Sequence, residues 1–276
     1  MTTSVAVVGA SGALGSSTCS LLDAADEFAV IARLGSRSDL REMLAAEIVI
    51  DMTLPAVSQR VVEYAVENGK KVLVGTSGWT GERIGALRRI VAARPEAGVV
   101  IIPNFSLGSV VATALETVAA RFFDAVEIIE THGARKLDSP SGTAVRTAEL
   151  LLRSRAERGP VHAPHTDQRA RGQQVASVPV HSLRLPGVLA RQEVIFGGIG
   201  ESVTIRHDTS SSASYERGIL LALEAARTAT GVIVGLDSLL DLRAEFDAAL
   251  RMERAADDSS SRDLPSGQIA ATTPSP

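Results

Sequence analysis

The chain has 276 residues, 45% hydrophobic and 22% charged, enough apolar surface to offset the ordering entropy of one or two globular domains, which excludes a disordered polymer. A formal charge of -4 with only 3% aromatic residues provides neither a phosphate-tracking surface nor a base-stacking platform, so no nucleic-acid partner is expected. No apolar run reaches the roughly 18 residues of a membrane span, no secretory leader is legible, and the single cysteine, Cys19, excludes an internal disulfide and a cysteine-based metal cluster. No membrane association and no metal are expected, and the setting is read as cytoplasmic.

In chain order, residues 5–8 form a short β-branched run bounded by glycine, the signature of a strand buried on both faces of a parallel sheet. Gly9, Ala10, Ser11, Gly12, Ala13, Leu14 and Gly15 follow directly, and residues 16–25 carry helical spacing with apolar Leu21 and Leu22. In that order, Gly9 permits a tight turn, Gly12 the approach of a pyrophosphate and Gly15 close helix–strand packing, with the helix amides facing the anion. The spacing is GxxGxxG rather than GxGxxG, so an ordinary strand-to-helix turn competes until the rest of this half is considered. Further strands are expected over 28–32, 48–51, 71–75 and 99–102, with helices near 57–68 and 81–93, an alternation that winds a parallel α/β sheet. Three strands end in polar loops, containing Thr53, then Gly75, Thr76 and Ser77, then Pro103, Asn104 and Phe105. Ligands of open parallel sheets lie beyond the carboxyl ends of the strands, so these loops and the glycine turn describe a dinucleotide crevice.

The end of the second strand bears on which dinucleotide it takes. An acidic residue there holds the ribose 2′-hydroxyl of NAD, whereas a 2′-phosphate needs a cation. Arg33 and Arg37 stand in this segment with no acid before Asp39. NADPH is therefore expected in preference to NADH, the competing reading being two solvated arginines that touch nothing.

The second half changes character. A small-residue helix is expected over 106–120 and a strand over 126–130, followed by a loop with His132 and Lys136. Ser139 suits an N-cap and Pro140 a first helical residue, so a helix is predicted from there to about Arg155, with the amides of Ser141, Gly142 and Thr143 unpaired. One loop then offers a proton donor, a mobile cation and an anion nest. Residues 177–184, 190–196 and 201–207 alternate polar with apolar, as strands of an antiparallel sheet buried on one face do. His181 and His207 are expected at polar-face or interface positions. Helices are expected over 215–229, returning to the first domain, and over 236–250, and residues 257–276 lack apolar periodicity and read as a disordered tail. The domains so drawn are 1–106 with 216–250 for the dinucleotide, 107–215 for substrate and oligomerisation, and 251–276 as tail.

Together these markers resemble the bacterial 4-hydroxy-tetrahydrodipicolinate reductases (dihydrodipicolinate reductases) from residue 5 to about 242. The resemblance rests on the Gly9–Gly15 turn, Asp51 to Pro55, Gly75 to Gly78, Pro103 to Ser106, and above all Glu130 to Ala144, continued at Val180 to Gly187, Gln192 to Val194 and Glu201 to His207. It implies a Rossmann-type α/β domain joined to an α+β domain whose mixed or antiparallel sheet assembles a homotetramer. It further implies hydride transfer from a nicotinamide to the conjugated imine of a cyclic dicarboxylate, on the diaminopimelate route to lysine. By position, His132 would be the proton donor and Lys136 a second donor or carboxylate cation. Ser141, Gly142 and Thr143 would meet the substrate, and Gly75, Thr76, Ser77, Ile102, Pro103, Asn104 and Phe105 would border the cofactor. The chain departs from the family pattern at Gly133 and Arg135, both substrate-facing positions where histidines are usual, at Ser212 where arginine is common, and at Ser11 and Ala13 where a basic residue is often found. The pattern suits the lysine-pathway reductase, and equally a paralogue that keeps the reductive chemistry on another cyclic imine or conjugated acid; a non-catalytic nucleotide-binding protein is the third reading.

Overall fold

The computed structural model describes residues 2–242, 244–248 and 251, in two units, Met1–Leu239 and Leu240–Pro276. The first unit opens with β1 (Thr3–Val8), α1 (Ala13–Asp23), β2 (Phe28–Leu34), β3 (Ile48–Asp51), α2 (Pro55–Glu67), β4 (Lys71–Val74), α3 (Gly81–Ala92) and β5 (Gly98–Ile101). It continues with α4 (Leu107–Ala119), β6 (Ala125–His132), α5 (Gly142–Ser154), β7 (Gln173–Val175), β8 (Val178–Arg184), β9 (Ala190–Gly198), β10 (Glu201–Thr209), α6 (Glu216–Thr228) and β11 (Gly231–Val234). A 3-10 helix, Leu40–Ala45, capped by Asp39, stands between β2 and β3 where a full crossover helix is usual.

The first sheet runs β11-β5-β4-β3-β1-β2, all parallel. All residues of β3 and β5 are buried, as their unbroken apolar runs require of strands covered on both faces. Val8, Val49, Val74 and Ile101 of the sheet pack with Val61 and Val66 of α2 and Leu87 of α3 in one core. α6 lies against β4 and β5, so the chain returns to this sheet after building the second. The sixth strand, β11, falls between the helices expected over 215–229 and 236–250, where no strand is expected from the sequence. It is a four-residue run bounded by Gly231 and Gly235, both in the left-handed region, and too short to show a period.

The second sheet, β10-β9-β6-β8-β7, is mixed: β6 pairs parallel with β8 and antiparallel with β9. Val126 and Ile128 of β6, Val180 of β8, and Val194 and Phe196 of β9 pack on Ala144, Ala148 and Leu151 of α5 in a second core. β7, not expected from the sequence, joins β8 through Ala176 and Ser177, both at positive φ. Ser177, expected to begin a strand, sits in that tight turn instead.

The helix expected over 236–250 begins differently. Leu236–Ser238 is a single 3-10 turn of the first unit, and within the second unit residues 242, 244–248 and 251 are helical. The expected tail beyond residue 251 lies outside the described residues.

Candidate active site

The turn after β1 is built as the glycine spacing demands. Gly9 has φ +86°, and a Cβ there would stand 2.3 Å from the Met52 carbonyl oxygen; one on Gly15 would stand 2.1 Å from that of Gly9. Both contacts are impossible for any other residue, so the turn and the start of α1 are pressed together only because side chains are missing. Gly12 is the N-cap of α1 and offers no side-chain cap, leaving the first amides of the helix for an anion. Across from it, buried Asp51 accepts from the Thr53 amide and hydroxyl at 3.2 and 2.5 Å and from Ser58, while Thr76 Oγ1 accepts the Thr53 amide at 2.9 Å. This network fixes the carboxyl ends of β3 and β4. The residues present therefore fit a dinucleotide: an uncapped helix start, a turn with no side chains in the way, and a pinned opposite wall. A cavity of about 460 Å³ runs between Gly9, Ser11 and Gly12 on one side and Thr53, Leu54 and Val57 on the other.

His132 ends β6 and Glu130 precedes it by two, so both side chains leave the same face of the strand. His132 Nδ1 lies 2.6 Å from Glu130 Oε2. Glu130 is fully buried and receives both terminal nitrogens of Arg184, each at 2.9 Å, together with the Ser141 amide at 3.1 Å. Burial pushes this carboxyl up, but the hydrogen bonds from Arg184, Ser182 and His132 outweigh it and hold Glu130 below the usual carboxylate range. An ionised acceptor at Nδ1 fixes that nitrogen as donor and leaves Nε2 as the one available to a substrate. Lys136 is paired to Asp138 at 2.9 Å. Sequence reasoning gave Glu130 and Arg184 no role, although the two-residue spacing of Glu130 from His132 was the available signal.

The helix after this loop starts later than expected. Ser139 and Pro140 precede it, Ser141 is the N-cap, its hydroxyl accepts the Ala144 amide at 3.2 Å, and Gly142 is the first helical residue. Ser141 does not offer its own amide, because Glu130 takes it. The competition is decided by burial: an ionised carboxylate inside the protein needs donors more than a loop amide needs freedom. The amides of Gly142 and Thr143 have no partner among the described residues.

Two further cavities meet at this loop. One, of about 550 Å³, places His132, Lys136 and Thr143 opposite Gly75, Asn104 and Phe105, with Ala13 and Leu14 of α1 at its edge. The other, of about 400 Å³, adds Thr76, Ser77, Ser141 and Gly142 around the same His132 and Lys136. Pro103 lines both. The structure thus gathers most of the expected site residues. Several expected residues stand elsewhere. Arg33 is bound to Asp23 of α1 at 2.5 Å, drawn there by the nearest acid on the neighbouring helix. Arg37 is exposed and lines none of these three cavities, nor do Ala10, Gly133 and Arg135. Ile102 is fully buried behind the wall. Gly133 sits where a Cβ would meet the Val188 carbonyl at 3.1 Å, so the loop here lies tight against the β8–β9 connection. Ser212 does line the larger cavity. So does His207, expected only at a polar face; its Nε2 is 3.2 Å from Ser106 Oγ at the start of α4, and burial lowers its pKa. His181 is held by Glu127 at 2.6 Å, away from the site.

Comparison with known proteins adds names to this arrangement. Residues 3–105 match the family model described as "Dihydrodipicolinate reductase, N-terminus", and residues 107–240 the one described as "Dihydrodipicolinate reductase, C-terminus". A curated protein of Clavibacter michiganensis subsp. michiganensis, named 4-hydroxy-tetrahydrodipicolinate reductase, is 59% identical over 277 residues, 99% of each chain. One of Streptomyces griseus with the same name is 42% identical, covering 86% of this chain and 98% of its own. Among solved structures, a dipicolinate-bound dihydrodipicolinate reductase from Paenisporosarcina sp. TG-14 superposes with TM-score 0.74 at 25% identity, over 87% of this chain and all of that one.

Proposed function

The chain belongs to the dihydrodipicolinate reductase family, and from that membership we propose that it reduces 4-hydroxy-tetrahydrodipicolinate to tetrahydrodipicolinate on the diaminopimelate route to lysine, with NADPH preferred and His132 as proton donor. The observation that carries this reading is the single cavity in which His132, Lys136 and Thr143 face Gly75, Asn104 and Phe105, at the end of the crevice that starts at the glycine turn. Relatives of that name match essentially the whole chain, which leaves the paralogue and non-catalytic readings without support.

The chain's own residues divide the work as follows. The uncapped start of α1 holds a pyrophosphate, and Thr53, Gly75, Thr76, Ser77 and Pro103 to Phe105 line the path of the dinucleotide toward His132. Bound there, a reduced nicotinamide supplies the hydride. The free amides of Gly142 and Thr143 take one substrate carboxylate, and Lys136 exchanges Asp138 for another. Reduction of the conjugated substrate leaves an electron-rich centre that must be protonated, and His132 Nε2 delivers that proton while Glu130 holds Nδ1 and offsets the charge of the imidazolium.

Two coarser features extend the proposal. Residues 1–106 with 216–250 form the dinucleotide-binding domain and 107–215 the substrate domain; the return of α6 and β11 to the first sheet supports this division. The chain assembles as a homotetramer, supported by the sheet face away from α5, where half-buried Ile129, His181 and Ile195 alternate along β6, β8 and β9. No described helix is long and apolar enough to cross a membrane, and the buried free thiol of Cys19 suits the reducing cytoplasm in which the reading places the enzyme.

The test is consumption of NADPH and of NADH, in parallel, by the purified protein supplied with freshly generated 4-hydroxy-tetrahydrodipicolinate. A kcat/KM above about 10⁴ M⁻¹ s⁻¹ with NADPH is expected. Nucleotide binding without turnover would refute the assignment.

A further inference from the structure

Resting on the NADPH reading above, we propose that Arg60 of α2, and not Arg33, Arg37 or Arg41 at and beyond the end of β2, takes the adenosine 2′-phosphate and sets the preference for the phosphorylated dinucleotide.

The argument is one of elimination among four arginines and of what the crevice offers. Arg33 points back to α1, where it lies 2.5 Å from Asp23 and beside Cys19. Arg41 donates two of its side-chain nitrogens to Asp39, the N-cap residue of the 3-10 helix Leu40–Ala45, so its charge is already matched. Arg37 is exposed and outside the wall of the crevice. Arg60 alone of the four lines the 460 Å³ cavity, and it has no hydrogen bond or ion pair among the described residues.

The rest of that wall is suited to an anion. Ser36 and Ser38, from the loop after β2, face the cavity with Arg60, beside the glycine turn that would hold the pyrophosphate. Among the described residues, no acidic side chain lines it. The nearest acid on α2, Glu63, already accepts the Gln59 amide at 2.9 Å. A phosphate ester in this position meets one free guanidinium and two hydroxyls, which is the chemistry that separates a 2′-phosphate from a 2′-hydroxyl. The positive charge comes from the helix after β3 because the end of β2 and the segment after it carry their arginines outward or into pairs with Asp23 and Asp39.

The experiment measures binding alone. Calorimetry on the full chain compares 2′-phosphoadenosine 5′-diphosphoribose with ADP-ribose, for the native protein, Arg60→Gln, Arg37→Gln and Arg33→Gln. The expected result is that Arg60→Gln weakens the phosphorylated ligand by about tenfold to a hundredfold, the range for one hydrogen bond to a charged group, and moves ADP-ribose by less than about threefold. Equal loss of both ligands would overturn the proposal, because Arg60 would then be covering the adenine. An unchanged preference in Arg60→Gln, with loss in Arg37→Gln or Arg33→Gln, would overturn it while leaving the NADPH reading intact. Equal binding of the two ligands by the native protein would refute the NADPH reading itself, and this proposal with it.

Discussion

Glu116 ties the stability of the fold to pH, although it is among the residues least exposed to solvent. It lies in the last turn of α4 with 1% of its surface accessible. Its Oε2 and Gln192 Oε1 are both buried without a hydrogen-bond donor, while Gln192 gives its amide to Thr147 Oγ1 at 3.0 Å. A buried carboxylate oxygen that lacks a donor favours the neutral acid, and burial drives Glu116 to hold a proton: desolvation pushes its pKa up to about 8, against the smaller opposing pull of the hydrogen bonds of Thr113 and Gln192. The folded chain then binds a proton that the unfolded chain releases above its ordinary value of 4.5. Stability is therefore greatest below that value and falls as pH rises toward 8, by about 1.4 kcal/mol per pH unit, for a total near 3 kcal/mol at pH 7. Glu116→Gln keeps the shape, brings its own donor and removes the titration. Urea denaturation of both proteins at several pH values between 5 and 9 should show the variant's advantage growing with pH by about that slope and levelling off above 8. A stability difference that does not change with pH would refute the reasoning, because it would mean that Glu116 is ionised in the fold.

Other perturbations follow from the site. His132→Ala should lower kcat by about 10² to 10⁴, the range for loss of a positioned proton donor, and a change under about threefold in steady-state turnover would remove His132 from the mechanism. Glu130→Gln leaves the Arg184 guanidinium facing a neutral amide, so urea denaturation should show a loss of about 3 to 5 kcal/mol, and a loss below about 1 would mean the pair carries little of the local fold. A Cβ on Gly142 meets nothing within 4 Å of the protein; Gly142→Ala should leave the melting temperature unchanged or raised and increase KM for the dicarboxylate by about tenfold, whereas an unaltered KM would show that no carboxylate approaches these amides. Gly9→Ala places a methyl 2.3 Å from the Met52 carbonyl at φ +86°, so soluble, nucleotide-binding protein in normal yield would contradict the tight turn.

Much of the first half could be read directly because its signals are local. β1, β3, β4 and β5 are short apolar runs between turn residues, and a strand covered on both faces needs no more than that. Gly12 and Gly15 of the first turn are equally local, since both answer the Gly9 carbonyl a few residues away, whereas Gly9 itself answers the Met52 carbonyl across the sheet. The lesson differs for Ser139 and Ser141. Both are good N-caps by residue type, and a tertiary partner, Glu130, chose between them by claiming the Ser141 amide. β7 escaped because its three residues, Gln-Gln-Val, carry no apolar run, and it pairs with the edge that β8 offers; β11 carries the same four-residue apolar signal as β5, with which it pairs, and was passed over between two expected helices.

By itself, then, the amino-acid sequence determined the parallel α/β winding and the glycine turn, and it singled out the loop of His132 and Lys136 that is proposed as the reactive one, because backbone sterics and the alternation of apolar residues act over a few residues. The tertiary structure decided which charges are free. Arg33 and Arg41 lose theirs to Asp23 and Asp39, Glu130 is held ionised by an arginine 54 positions away, and Arg60 is left facing the crevice. The composition counts these charges alike; what separates them is distance and burial, and neither exists until the chain has folded.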